Sequence, residues 1–163
     1  NMNNAVGLPD YELLRRHGIK CLIGNDGLGA NITRDYLNLL FAMKHRLGSP
    51  TRFNLEELVQ IIHNGYEYIG TCLDIKIGRI EKGYKADLIT VPYTAPTPIK
   101  ADNMLGHLIF GVFDCFRPKQ VWIDGKCVLD HYEASMDTSK LFEEARREAA
   151  KVWGRLEINK EGE

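Results

Sequence analysis

The chain has 163 residues, 44% of them hydrophobic and 26% charged, the length and composition of one ordinary globular domain. Its formal net charge of −1 leaves no global field for drawing in nucleic acid or an anionic membrane. No apolar run approaches the roughly 18 residues of a membrane span, and Asn1-Met2-Asn3-Asn4 lacks the basic and apolar regions of a signal peptide, so a cytoplasmic location is expected. Cys21, Cys72, Cys115 and Cys127 form no C-x-x-C pair and are expected as reduced, mostly buried thiols. His17, His45, His63, His107 and His131 form neither H-x-H nor H-E-x-x-H, so the chain encodes no recognisable multi-histidine metal site.

Pro9 to Gly18 reads as a short helix, with proline near the start, acids in the first turn, cations in the last and glycine at the stop. It feeds an apolar run of strand length, Ile19 to Ile23, that stops at Gly24 and delivers one carboxylate, Asp26, between Asn25 and Gly27. A buried parallel strand ending in a functional loop has this pattern; a strand followed by a solvated Asn-Asp-Gly turn has it too. A second helix follows Ala30-Asn31-Ile32-Thr33, with Tyr36, Leu39, Leu40, Met43 and Leu47 at the helical period and Gly48-Ser49-Pro50 at its end. Helix, strand, loop and helix in that order make an αβα unit of the kind that builds parallel sheets and barrels.

Asn54 with Glu57 has the spacing of a capping box, and Leu55, Leu58, Val59 and Ile62 give the next helix an apolar face. Asn64-Gly65 is expected to interrupt it, leaving a brief helical piece around Tyr66 to Cys72. Beyond residue 73 the texture changes to short β-like runs, Ile75 to Ile80 and Asp87 to Tyr93. Pro96 and Pro98 exclude a central strand there, and Met104 to Gly111 reads as a buried helix despite two glycines. Gln120 to Ile123 and Lys126 to Leu129 flank Asp124-Gly125, a strong two-residue hairpin signal. An amphipathic helix is expected over Ser139 to Leu156, burying Leu141, Phe142, Ala145, Ala149, Val152, Trp153 and Leu156, with disorder from Asn159 on.

Three stretches carry a family resemblance. Asn1 to Gly7 resembles the residues that follow an H-x-P-x-S loop, Ile23-Gly24-Asn25-Asp26-Gly27 a strand-eight G-T-D-G, and Ile77 to Ile89 a G-x-I-x-x-G-x-x-A-D-L signature. Pro96-Thr97-Pro98, Asn103 to Gly111 and Val121 to Lys126 fit the same pattern. In this the sequence is similar to the carboxyl-terminal part of amidohydrolase-superfamily enzymes of the cytosine deaminase, guanine deaminase and chlorohydrolase group, most of all to the SsnA aminohydrolases.

The resemblance implies an α/β fold: a C-terminal fragment of a TIM-barrel metal-dependent hydrolase, with one barrel strand and flanking helices, followed by strands of an accessory β-sandwich and a terminal helix. Residues 1–72 would be barrel, 73–133 sandwich with an inserted helical segment, and 134–163 the terminal helix and tail. It implies that Asp26 is both a metal ligand and a catalytic residue that helps move the proton of a metal-bound hydroxide. Asn25 departs from the commoner threonine; it is expected to bond the loop and carries no assigned role. His107, in a segment resembling family sequence that faces the barrel mouth, is a candidate substrate contact, whereas His63 reads as a structural or exposed histidine. The cofactor implied for the intact enzyme is a divalent metal, zinc or iron, with none held tightly by these residues alone, because the family's other ligands lie upstream. The partners implied are the missing N-terminal part of the same enzyme, further copies of the chain and a small-molecule substrate, with no nucleic acid and no membrane. The reaction implied is hydrolysis of a non-peptide C–N bond by a metal-bound hydroxide, as deamination of a heterocycle or of a guanidine-like group, by this part only together with the rest.

Two other readings stand beside it. One is a non-catalytic assembly domain. The other is a nucleotide-binding module, against which the spacing of Gly24 to Gly29 and the negative charge of Asp26 both argue.

Overall fold

A computed structural model describes residues 4–27 and 29–160. Local capping decides where its helices begin. Helix α1 (Tyr11–Arg16) starts at Asp10, whose carboxylate accepts the Leu13 N–H at 2.9 Å. Helix α2 (Ile32–Leu47) starts at Asn31, which accepts from Thr33, and stops at Gly48, whose φ of 60° provides the left-handed C-cap that glycine allows. Helix α3 (Leu55–Leu73) opens with the expected capping box. The Glu57 N–H donates to Asn54 Oδ1 at 2.9 Å, while the Asn54 N–H donates to the Glu57 carboxylate at 3.1 Å.

These helices surround one apolar cluster: Tyr11, Leu37, Leu40, Met43, Phe53, Leu58, Ile61 and Ile109. Phe53 precedes the N-cap of α3 and shares the cluster with Leu58 four positions into that helix, the arrangement of a hydrophobic staple. Its ring meets Tyr11 edge-on at 5.1 Å. Ile109 comes from a later segment, in which helix α4 (Met104–Gly106) continues into a π-helical turn (His107–Val112). Thr33 ties that turn to α2 by donating its hydroxyl to the Phe113 carbonyl at 3.1 Å.

The second layer is a four-stranded antiparallel sheet in the order β1 (Leu88–Thr90), β2 (Gln120–Ile123), β3 (Lys126–Asp130), β4 (Glu133–Ala134). Asp124 and Gly125 turn β2 into β3 with φ of 50° and 78°, the paired positive values of a type I′ hairpin. The Ala86-Asp87 pair clamps that turn. Asp87 accepts the Asp124 N–H at 2.7 Å, the Ala86 carbonyl accepts the Gly125 N–H at 3.0 Å, and Lys85 pairs with Asp124 at 2.9 Å. The chain ends in helix α5 (Ser139–Lys160).

Several expectations need correction. Ile19 to Ile23 carries no β-ladder. A strand exists only through the neighbour that takes its backbone groups, and among the described residues none lies beside it; instead the Asn64 side chain donates to the Cys21 carbonyl at 2.8 Å. That same bond explains why Asn64-Gly65 does not interrupt α3. The side chain is buried and satisfied by one tertiary partner, the Cys21 carbonyl, and by Gln60 one turn earlier in the same helix, so the local preference for a break is overridden. The helical piece expected at Tyr66 to Cys72 is the last part of α3.

Ile75 to Ile80 is likewise a turn segment, held by the Ile75 N–H to Gly70 O at 3.0 Å and the Lys85 N–H to Lys76 O at 2.7 Å. Within Met104 to Gly111 only Ile109 is buried, and Phe110 is 51% exposed. Cys72 and Cys115 are exposed, while Cys21 and Cys127 are half-buried. Helix α5 forms but none of its seven expected core residues is buried. It runs through Asn159 and Lys160, where disorder was expected, and residues 161–163 lie outside the described residues, as do residues 1–3 of the Asn1 to Gly7 stretch.

Candidate functional site

The loop from Gly24 to Asn31 connects the apolar Ile19 to Ile23 segment to α2. Asn25 closes it by donating its side-chain amide to the Gly29 carbonyl, as expected. Asp26 sits at the tip in the left-handed region, φ 51°, a conformation that aspartate tolerates better than most residues. One carboxylate oxygen accepts the Gly27 N–H at 2.7 Å, and the residue is exposed. The loop therefore fixes the backbone beneath Asp26 while leaving its carboxylate accessible.

Beside this loop an open groove of about 920 Å³ runs between the Cys21 to Gly24 segment and α2. Its floor is apolar, with Tyr11, Leu39 and Met43, and the α2 rim contributes Arg34, Asp35 and Asn38. Asp26 itself is not in the lining. The polar rim has only a weak sequence signal, the i, i+1, i+4 spacing of Arg34, Asp35 and Asn38 on α2.

Burial first, and then the nearby Glu57 carboxylate, raise the pKa of the groove tyrosine Tyr11 above the ordinary 10.0, with Arg15 opposing. A phenol that ionises less readily when folded contributes stability that is complete below its unfolded pKa and lost as pH rises through the folded one. Alkaline titration should therefore lower the urea midpoint above pH 10, and Tyr11→Phe should flatten that decline. An equally steep loss in the variant would refute the assignment.

His107 lies elsewhere, at the start of the π-helical turn. Its Nδ1 is 2.7 Å from the Tyr93 hydroxyl and its Nε2 is 3.1 Å from the Thr97 hydroxyl, so both ring nitrogens have partners within the chain. The Tyr93 side chain also packs against Gly111, where a Cβ would come within 2.6 Å of its hydroxyl and 2.7 Å of its ring, so a larger residue would have to displace the tyrosine. Thr97 belongs to the Pro96-Thr97-Pro98 stretch of the family resemblance, but nothing in the sequence paired it or Tyr93 with His107. No hydrogen bond or ring contact joins Asp26 with His107, their partners being Gly27 on one side and Tyr93 and Thr97 on the other. His63 makes an edge contact with Tyr66 at 6.4 Å.

The donor set does not amount to a metal cage. Among the described residues no three His, Cys, Asp or Glu side chains gather where they could hold an ion. A single carboxylate binds a divalent transition metal weakly, because such sites need several convergent ligands. Asp26 can serve as one ligand or as a proton acceptor, and among the described residues no group of ligands gathers around it. Among the described residues no helix is long and apolar enough to cross a membrane.

Residues 1–128 match the model of the amidohydrolase family. A 5'-deoxyadenosine deaminase of Methanosarcina acetivorans is 29% identical over 95% of this chain, which covers 36% of that protein. A 5-methylthioadenosine/S-adenosylhomocysteine deaminase of Thermotoga maritima is 25% identical over 67% of the chain and 27% of its own length. Among solved structures, a zinc-bound adenosine deaminase from Xanthomonas campestris superposes with a TM-score of 0.61 at 24% identity, over 86% of this chain and 33% of that one. The chain thus spans about a third of the length of the proteins it resembles.

Proposed function

The chain belongs to the amidohydrolase family, and from that premise we propose that it supplies Asp26 to an active site completed by protein outside these 163 residues. The enzyme so assembled would deaminate an adenine-type nucleoside by hydrolysis: water adds, ammonia leaves and the ring keeps an oxygen. The observation that carries this reading is the asymmetry of coverage, 95% of this chain against 36% of the deaminase it resembles.

An exposed carboxylate on a pinned loop suits that role. Hydrolytic deamination requires a group that takes a proton from water and returns one to the departing amine, and a carboxylate can do both. The intact enzyme would hold a divalent metal, zinc or iron, with further ligands supplied by the rest of the protein. In the same reading, residues 1–72 are the barrel part, 73–133 belong to the accessory sandwich and 134–163 are an appended helix. His107 would reach substrate only after leaving Tyr93 or Thr97. A closer kinship with the SsnA aminohydrolases is the alternative to this substrate assignment, and preference for a substrate other than adenine nucleosides would favour it.

The test is ammonia release from 5'-deoxyadenosine and related nucleosides. The complete gene product should be active with zinc or iron supplied, and the 163-residue chain inactive under the same conditions. Turnover by the short chain alone, or none by the complete protein with any adenine nucleoside, would overturn the reading.

A further inference from the structure

Helix α5 leaves its apolar residues uncovered: Phe142 is 58%, Val152 52% and Leu156 47% exposed. Their arrangement is more specific than general amphipathicity. Phe142, Ala145, Ala149, Val152 and Leu156 follow one another at intervals of three, four, three and four, the a/d seam of a two-stranded coiled coil, on a helix of 22 residues, about 33 Å. From this seam we infer that α5 is the docking surface for α5 of a second copy of the chain, in antiparallel orientation.

The orientation follows from volume and charge. In an antiparallel pair aligned so that Ala149 meets Val152 of the other copy, Ala145 meets Leu156, and each small residue opposes a larger one. The flanks then match. Glu148 comes beside Arg155 of the other copy, twice by symmetry, and Arg146 comes beside the Trp153 ring, a cation–π pairing.

A parallel pair would face alanine with alanine at two layers and set no charge against its opposite. An antiparallel pair shifted by one heptad would bring Glu148 against Glu148. Within one chain Glu148 contacts Lys151 at 2.8 Å and Arg147 at 3.7 Å, both exposed pairs of the kind that exchange readily with a new partner. The inference does not depend on the deaminase reading, since it uses only α5.

Sedimentation equilibrium of the 163-residue chain, across the micromolar to millimolar range, tests it. The wild-type chain should self-associate weakly, as suits a short seam. Glu148→Arg alone and Arg155→Glu alone each set like charges against one another at both symmetric positions and should weaken association about tenfold. Mixed in equal amounts, the two variants restore both opposite-charge pairs, so the mixture should associate as tightly as the wild type. All these side chains are exposed, and unchanged far-ultraviolet dichroism will verify that the helix persists. A monomeric wild-type chain, reversals without effect, or a mixture no tighter than its components would each overturn the inference, the last two placing the second copy elsewhere.

Discussion

Asp26→Asn in the complete enzyme should lower kcat by roughly 10²–10⁴-fold, the loss typical of removing a positioned proton-transfer group. Asparagine preserves the shape of the side chain and tolerates the left-handed backbone at φ 51°, so only the charge and its proton affinity change. Because Asp26 is exposed and, among the described residues, its carboxylate accepts just the adjacent Gly27 N–H, the unfolding free energy of the 163-residue chain in urea should stay within about 0.5 kcal/mol of wild type. Activity and stability are thereby read independently. Full turnover in the asparagine variant would remove Asp26 from the chemistry, and a large drop in stability would give the residue a folding role instead.

Phe53→Ala should cost about 3–5 kcal/mol, against a total of about 5–15 kcal/mol for a typical domain. The ring is 2% exposed, meets Tyr11 edge-on and fills the staple over the first turn of α3, so its removal opens a cavity between α1 and α3. The backbone adds a second, more discriminating expectation. Phe53 has φ 51°, a region costing L-residues with a Cβ about 1–2 kcal/mol. Phe53→Gly loses the same ring but relieves that strain, so it should be more stable than Phe53→Ala by about 1 kcal/mol, reversing the usual order of the two residues. Urea unfolding followed by far-ultraviolet dichroism measures both variants. Equal stabilities would show that the backbone there carries no strain, and a near-neutral Phe53→Ala would show that the cluster does not depend on the ring.

What local chemistry dictates was legible in the sequence. Asn31 and Gly48 mark the ends of α2, the Asn54 and Glu57 pair marks the start of α3, and Asp124-Gly125 marks a hairpin, because each signal acts within four residues of the backbone it shapes. The carboxylate on a loop before a helix could be found in the same way, and so could the family, since its motifs are short and local.

Other features were settled by groups distant in sequence. Ile19 to Ile23 has the composition of a strand but no ladder, because pairing belongs to a neighbour and none of the described residues provides one. Asn64 stays inside a helix because the carbonyl of Cys21, 43 positions away, receives its amide. Phe53, in a loop without periodicity, became core through the staple and Tyr11. Both ring nitrogens of His107 have partners that no spacing announced. The apolar seam of α5 was visible from its period, but a period shows only that a face is apolar; what covers it depends on which surfaces the rest of the assembly brings near.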